Sequence, residues 1–344
     1  MTTTHGPRTA RRPSVTDVAK LANVSVGTVS NVLNRPERVA DATRTRVEKA
    51  IAALSFVPNA SARQLRAGTI TTVGAVLLDI RNPFFTDMAR GIEDRIALDD
   101  RTLMLASSDE DPKREMRYLR LFEEHGVSGL LVVPSTTEID HLLAIVDRGL
   151  DVVLLDSPSP TPRISSVAVD NIEGGKLAAQ HLLAMGHEEI TFINGPHSIR
   201  QCRDRLAGVE LAVQEAGKDP AEVITELTIS SLDAAGGELA ISSVLDEQGD
   251  AVPSAVFCVN DLVAIGVQRT MRRRGLEMVG HMAIVGYDDI DIASELALPL
   301  TSVRQPHHEL GYRAADILMT AGTPEHVVFQ PELVVRASSD PASG

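Results

Sequence analysis

The sequence predicts an all-α three-helix head with a short hinge helix, followed by an α/β two-lobed core built on parallel sheets. Three observations carry this. Charge is split along the chain: residues 1–68 hold 11 Lys and Arg against 4 Asp and Glu, net +7, leaving −21 on the other 276 residues. At Thr69 the hydrophobic pattern changes from helical spacing to short β-branched runs. Those runs alternate with amphipathic stretches, the pattern of βαβ units whose parallel strands are buried on both faces.

Residues 1–13 (MTTTHGPRTARRP) are polar, basic and punctuated by Pro and Gly, and are expected to be a disordered arm. Residues 14–58 then carry three helical patterns. Val18, Leu21 and Ala22 share a face of the first, and Val29, Val32 and Leu33 a face of the second. In the third, from Thr43 to Leu54, Val47, Ala50, Ile51 and Leu54 recur at helical spacing. Thr16 or Asp17 can cap the first helix, Asn23-Val24-Ser25 supplies a turn, and Ser25 can cap the second. This is helix-turn-helix spacing, in which the second helix enters the major groove and its first residues meet base edges. Val26 suits a thymine methyl, Gly27 allows close backbone approach, and Thr28 and Ser30 offer hydroxyls. Asn31 has the amide for bidentate contact with adenine. The plainer reading of the same stretch is a helical hairpin with polar residues toward solvent. Against it stands the basic head on an acidic body, which points to a nucleic-acid contact confined to the head.

Residues 59–68 are expected to form a hinge helix or linker. Isolated behind Pro58, Ala60 to Leu65 is too short to be a stable helix in water. Residues 69–337 form the core. Its strand-like runs are TTVGAVLLD, TLMLAS, GLLVVP, DVVLLD, SSVAVD, EITFING, AVFCVND and MAIVGYDD. Runs of this kind number about ten, more than one sheet comfortably holds, so two lobes are expected. Residues 338–344 are left as a disordered tail. Ligands of such sheets sit at the carboxyl ends of strands. Asp156, Asn260, Asp261 and Asp288 end strands, and Arg205 heads the helix after INGP. Carboxylates, an amide and a guanidinium converging there suit a polyhydroxylated ligand, because each can hold two neighbouring groups. Asp261 has an equal claim to cap the helix that follows it.

The composition narrows the function classes. A hydrophobic fraction of 43% and a charged fraction of 23% are those of a globular protein. No apolar run reaches membrane-spanning length and the N-terminus lacks a signal-peptide core, so a cytoplasmic protein is expected, with no membrane partner. Cys202 and Cys258 show no CxxC spacing and are expected as buried free thiols. With no GxGxxG, GxSxG, P-loop or HExxH pattern, no enzyme, cofactor or metal site is expected.

The residues of the head, VTDVAKLANVSVGTVSNVLN (15–34) and TRTRVEKAIAALSFVPNASARQLRAG (43–68), resemble the LacI/GalR family of bacterial transcription repressors. The resemblance runs on to about Arg336 through NPFF (82–85), VDN (169–171), HLLAMGH (181–187), INGP (193–196), RDRLAG (203–208), VNDLVAIG (259–266), VGYDD (285–289) and TSVRQP (301–306). It implies a periplasmic-binding-protein-like core, its first lobe about 69–170 plus 304–327 and its second about 171–303 plus 328–337. It also implies that Val26, Gly27 and Asn31 read bases, and that Ser25, Thr28, Asn34, Thr43 and Asn59 touch phosphates. Ala62 and Leu65 would lie in the hinge helix, the leucine acting as a minor-groove wedge that unstacks a base step. Asp156, Arg205, Asn260 and Asp288 would hold the effector, with Asn82, Phe84 and Phe85 lining the other side. Two departures stand out: Asn23 replaces the usual turn glycine, and Asn31 stands where many members carry arginine.

The partners expected on this basis are double-stranded DNA with a palindromic operator, a small-molecule effector, and a second copy in a homodimer. No leucine heptads follow the core, which favours a dimer over a tetramer. In the loop TISSLDAAGG, where nucleobase-binding relatives place a large aromatic, the nearest candidate is Leu232. A sugar or sugar phosphate is therefore expected ahead of a nucleobase or nucleoside. A protein co-repressor is the other alternative, and a transport-type sugar-binding protein is a more remote one.

Overall fold

The computed structural model describes residues 13–56, 71–248, 252–276, 282–320, 322–340 and 342. The chain divides into two units, Met1–Ile70 and Thr71–Gly344.

The first unit holds α1 (Val15–Ala22), α2 (Val26–Asn34), a 3-10 turn (Pro36–Arg38) and α3 (Asp41–Leu54). Val18, Ala19, Ala22, Val29, Val32, Val47 and Ala50 form its core. Two expectations need correction. The first helix is capped by Ser14, not by Thr16 or Asp17: the Ser14 hydroxyl accepts from the Asp17 N–H, and the Asp17 carboxylate accepts from the Ser14 N–H at 2.8 Å. That reciprocal box satisfies two otherwise orphaned donors, which a cap inside the first turn cannot do. Leu21 is 55% exposed and lies outside the core. Asn23 adopts φ 52°, the left-handed turn that asparagine tolerates better than other non-glycine residues.

The second unit contains two six-stranded sheets. Its strands are β1 (Thr72–Leu77), β2 (Thr102–Ser107), β3 (Leu130–Val132), β4 (Val152–Leu155), β5 (Ser165–Val169) and β6 (Ile190–Asn194). They continue with β7 (Ile224–Thr228), β8 (Ala255–Cys258), β9 (Ala283–Asp288), β10 (Thr301–Arg304), β11 (His326–Phe329) and β12 (Glu332–Val334). The orders are β11-β5-β4-β3-β1-β2 and β12-β10-β9-β8-β6-β7, parallel throughout except for β10 with β12. The helices are α4 (Pro83–Ala97), α5 (Pro112–His125), α6 (Asp140–Asp147), α7 (Asn171–Ala184), α8 (Arg200–Glu215) and α9 (Pro220–Val223), then α10 (Ala234–Gln248), α11 (Asp261–Arg273), α12 (Ile292–Glu295) and α13 (His307–Met319).

Strand alternation sorts the first lobe into two faces. Val73, Ala75 and Leu77 of β1 pack with Met88, Ile92 and Ile96 of α4 and with Leu310 and Ala314 of α13. Val76, one residue out of phase, joins Leu119 and Phe122 of α5 and Leu142 of α6. The α4–α13 crossing depends on two glycines. A Cβ on Gly91 would strike the His308 carbonyl oxygen, and one on Gly311 would strike that of Met88. The helices must therefore separate before either position accepts a methyl group. Gly311→Ala should cost about 2 kcal/mol net, overpacking outweighing the gain in helix propensity. Urea unfolding checks this, and an unchanged midpoint would contradict the crossing.

The chain passes between lobes three times, and two expected boundaries shift. Arg304 still pairs with Asp288 in the second sheet, and β11 runs to Phe329 beside β5, so the crossings fall at Gln305 and Gln330. β11 is a half-exposed edge strand of only four residues, so its apolar run is too short to set it apart in the sequence. Residues 338 and 339, expected in the tail, belong to the fold instead. Ser338 and Ser339 are buried, the Ser338 hydroxyl donating to the Ile284 carbonyl (2.6 Å) and accepting from the Thr301 N–H (2.8 Å). Small hydroxyls that donate and accept can finish the exposed groups at a sheet end, a role invisible in the polar string SSDPASG.

Candidate effector cleft and nucleic-acid interface

In the first unit, Ser25 caps α2, its hydroxyl accepting from the Thr28 N–H at 3.1 Å. Val29 and Val32 face the core, while Val26, Gly27 and Asn31 are exposed. An ideal Cβ at Gly27 meets nothing nearer than the Ser25 hydroxyl at 3.6 Å, so packing within the unit does not require glycine there. Ser25 and Thr28 hydroxyls lie 2.9 Å apart, and the Asn34 amide donates to the Ser30 carbonyl at 2.9 Å. Thr43 sits in the first turn of α3, half-buried. Asn59, Ala62 and Leu65 lie outside the described residues.

In the second unit, all seven expected effector residues line one cleft enclosing about 490 Å³, its open mouth included. Asn82, Phe84 and Phe85 come from the start of α4, Asp156 follows β4, Arg205 lies on α8, Asn260 precedes α11, and Asp288 ends β9. The parallel strands deliver these side chains by ending at the same rim. Asp79, Glu110, Gln201, Cys202 and Leu232 line it as well. Asp79 carried a usable signal, since it follows the β1 run as Asp156 follows β4. Glu110 and Gln201 carried none.

Arg205 is 5% exposed. Its Nε donates to Asn171 Oδ1 at 2.9 Å, a terminal nitrogen donates to the Val259 carbonyl, and the other stands 4.0 Å from Asp288. The guanidinium lies 3.5 Å from the Tyr287 ring centroid, a cation–π contact in a dry site. Gly175 permits this depth, because a Cβ there would strike the Arg205 carbonyl oxygen. Asp288 accepts from Asn82 Nδ2 (2.9 Å), across the lobes, and from Gln305 Nε2 (2.8 Å), at the crossing between them. Burial pushes its carboxyl up, opposed by Arg205 and these amides.

Asp156 accepts from Gln201 Nε2 through both its carbonyl (2.7 Å) and Oδ2 (2.8 Å), again across the lobes. Burial pushes its carboxyl up to about 7 against the pull of Arg205. Glu110, also desolvated, is pushed up to about 7. Asp109, Glu110, Asp156, Asp288 and Asp289 all have positive φ, five of the eight such non-glycine residues described. Backbone strain of this kind collects where side chains are aimed at a ligand.

Asn260, rather than Asp261, caps α11. Its Oδ1 accepts from the Val263 N–H (2.9 Å) and its amide donates to the Leu232 carbonyl (2.9 Å). Asp261 is fully buried, accepting from the Ile290 N–H and the Ser302 hydroxyl. Asn82 similarly caps α4 through Oδ1 while its amide holds Asp288. Cys202 and Cys258 are buried free thiols. No described helix is long and apolar enough to cross a membrane, and no described group of three or more His, Cys, Asp or Glu could hold a metal ion.

Comparison with known proteins bears on both units. Residues 14–59 match the family model for bacterial regulatory proteins of the lacI family. Residues 70–329 match that for periplasmic binding proteins and the sugar binding domain of the LacI family. The HTH-type transcriptional repressor PurR of Aliivibrio fischeri is 33% identical over 94% of this chain and 98% of its own. Among solved structures, a complex of the transcriptional regulator CelR with cellobiose aligns at TM-score 0.67 and 31% identity, covering 95% of this chain and all of that one. The lac repressor dimer bound to operator and the anti-inducer ONPF aligns at TM-score 0.76 and 26% identity, covering 96% and 99%.

Proposed function

Because the chain belongs to the LacI family of DNA-binding transcriptional repressors, we propose that it represses from a palindromic operator as a cytoplasmic homodimer whose affinity is set by a small polyhydroxylated ligand in the cleft. The observation that carries this is the convergence of seven polar and aromatic residues from both lobes on one cleft, in a chain whose head leaves the first turns of α2 exposed. A sugar-bound relative of the same architecture supports the ligand class. The lac repressor dimer on its operator supports the stoichiometry.

Asp288 and Asp156 are the means of control. Each holds the lobes together through an amide from the opposite side. A ligand that takes over either carboxylate changes the relative stability of lobe arrangements. A coupling of about 1–3 kcal/mol would alter operator affinity about 5- to 150-fold.

For the head, Val26, Gly27 and Asn31 are the base-reading residues, with Ser25, Thr28, Asn34, Thr43 and Asn59 on phosphates and Ala62 and Leu65 in the minor groove. Gly27→Ala should leave thermal stability equal or higher, since the methyl group has room and favours the helix. It should weaken operator binding by about 1–3 kcal/mol, the worth of a well-made base contact. Undiminished binding in a gel-shift titration would remove Gly27 from the interface. Leu65→Ala should weaken specific binding and leave the core's melting unchanged.

The test of the effector reading is thermal unfolding against sugars, sugar phosphates and nucleosides, with operator release measured for each hit. A ligand at 100 times its Kd adds about 2.7 kcal/mol. A hit that leaves operator affinity unchanged would break the link between cleft and head.

A further inference from the structure

The polar groups of the cleft are unequally supplied. Its lining holds four carboxylates, Asp79, Glu110, Asp156 and Asp288, and a single cation, Arg205. That cation donates to Asn171 and the Val259 carbonyl and lies on the Tyr287 face, its remaining terminal nitrogen standing 4.0 Å from Asp288. Asp79 is paired with Arg81 at 2.9 Å, and Asp288 faces Arg205. Among the described residues, no ion pair reaches Glu110 or Asp156.

Hydrogen-bond demand is lopsided in the same direction. Asp156 Oδ1 and Gln201 Oε1 are buried and have no partner among the described residues. Their side chains belong to residues 3% and 5% exposed, and both line the cleft. Both atoms are acceptors, so the site asks for donors. A buried acceptor left unmet is costly, and a buried carboxylate without a counter-ion more so.

On the reading of this cleft as the effector site, we infer that its ligand is a small polyol carrying an ammonium group, of the amino-sugar or aminocyclitol class, and not a sugar phosphate. A hydroxyl can donate to Asp156 Oδ1 or Gln201 Oε1 but leaves the negative charge of Glu110 and Asp156 uncompensated. An ammonium supplies three donors and the missing charge together. A phosphate would bring acceptors to acceptors and negative charge to negative charge, with a single guanidinium among four carboxyls to receive it. Burial has already pushed both carboxyls up to about 7, outweighing the pull of Arg205 on Asp156 and of Arg81 on Glu110.

The test uses a probe without stereochemistry. Tris(hydroxymethyl)aminomethane carries three hydroxymethyl groups and an ammonium on one carbon, trimethylolethane is its neutral counterpart, and inorganic phosphate is the anion. The full chain is titrated with each at constant ionic strength and neutral pH, following thermal unfolding. The amine should raise Tm saturably, with half-saturation about tenfold below that of the triol, and phosphate should give no shift. Asp156→Asn, which keeps the Gln201 contact, and Glu110→Gln should each weaken the amine response.

An amine no more effective than the triol, a silent amine, or an amine shift unchanged in both variants would overturn the inference. A triol or phosphate shift that Asp156→Asn alters would also overturn it, while leaving the cleft standing as the effector site.

Discussion

Arg205→Met should lower the stability of the Thr71–Gly344 unit by about 3–5 kcal/mol, the loss seen when one partner of a buried, hydrogen-bonded charge set is removed. Methionine keeps much of the side-chain volume, so the cost is electrostatic rather than a cavity. Asn171 Oδ1 and the Val259 carbonyl lose their donor, and Asp288 loses the positive charge beside it. The Tyr287 ring keeps an apolar neighbour but not a cation. Urea unfolding measures the loss, and operator release in the presence of effector should vanish with it. The double variant Arg205→Met/Asp288→Asn should recover part of the stability, because the orphaned carboxylate is then gone. A loss below about 1 kcal/mol in the single variant would mean that the guanidinium is not the charge that holds the cleft.

Asp156→Asn should stabilise the ligand-free protein in a pH-dependent way. The folded chain holds a proton on Asp156 up to about 7, whereas the unfolded chain releases it near the ordinary 3.8. The folded state therefore binds more protons between those values, and Asp156 makes the protein progressively less stable as pH rises through the window. The groups facing it are Arg205 and Gln201, which favour the ionised form, and Asp288 and Asp204, which oppose it. Asparagine removes the titration and keeps an acceptor for the Gln201 amide. The gain should be small near pH 4, grow through neutrality and level off above pH 7, reaching at most about 4 kcal/mol. Melting temperatures of parent and variant across that range decide it. A gain that is constant with pH would place the titration elsewhere.

The parts of this molecule that were legible in its sequence share a physical cause. Central strands such as Val152–Leu155 and Ala255–Cys258 are buried on both faces and read as unbroken apolar runs. Asp156 and Asp288 were found because a charged residue directly after such a run has one place to go, the rim of the sheet. The edge strand Ile224–Thr228 is half exposed and carries Glu226, so no such run marks it. Leu21 looked like core because helical spacing gives a face but not how wide a neighbour covers it. Glu110 and Gln201 reach the cleft only through the fold of the whole unit. The division of labour between Asn260 and Asp261 was equally hidden, since adjacent polar residues at a helix start are interchangeable in sequence and differ only in three dimensions.

The three passages between lobes bear on how the chain is made. The helical head is local, finished by Leu54, and free to fold as soon as it emerges from the ribosome. The first lobe is not, because its helix His307–Met319 and its edge strand His326–Phe329 are translated only after the second lobe's strands as far as Arg304. At about 5–20 residues per second, that is a wait on the order of 10 s. Throughout it, Met88, Ile92 and the sheet face beside them lack the cover of Leu310 and Ala314. The nascent chain therefore presents an unfinished apolar face to solvent, the kind of surface that holding chaperones bind, until synthesis is almost complete.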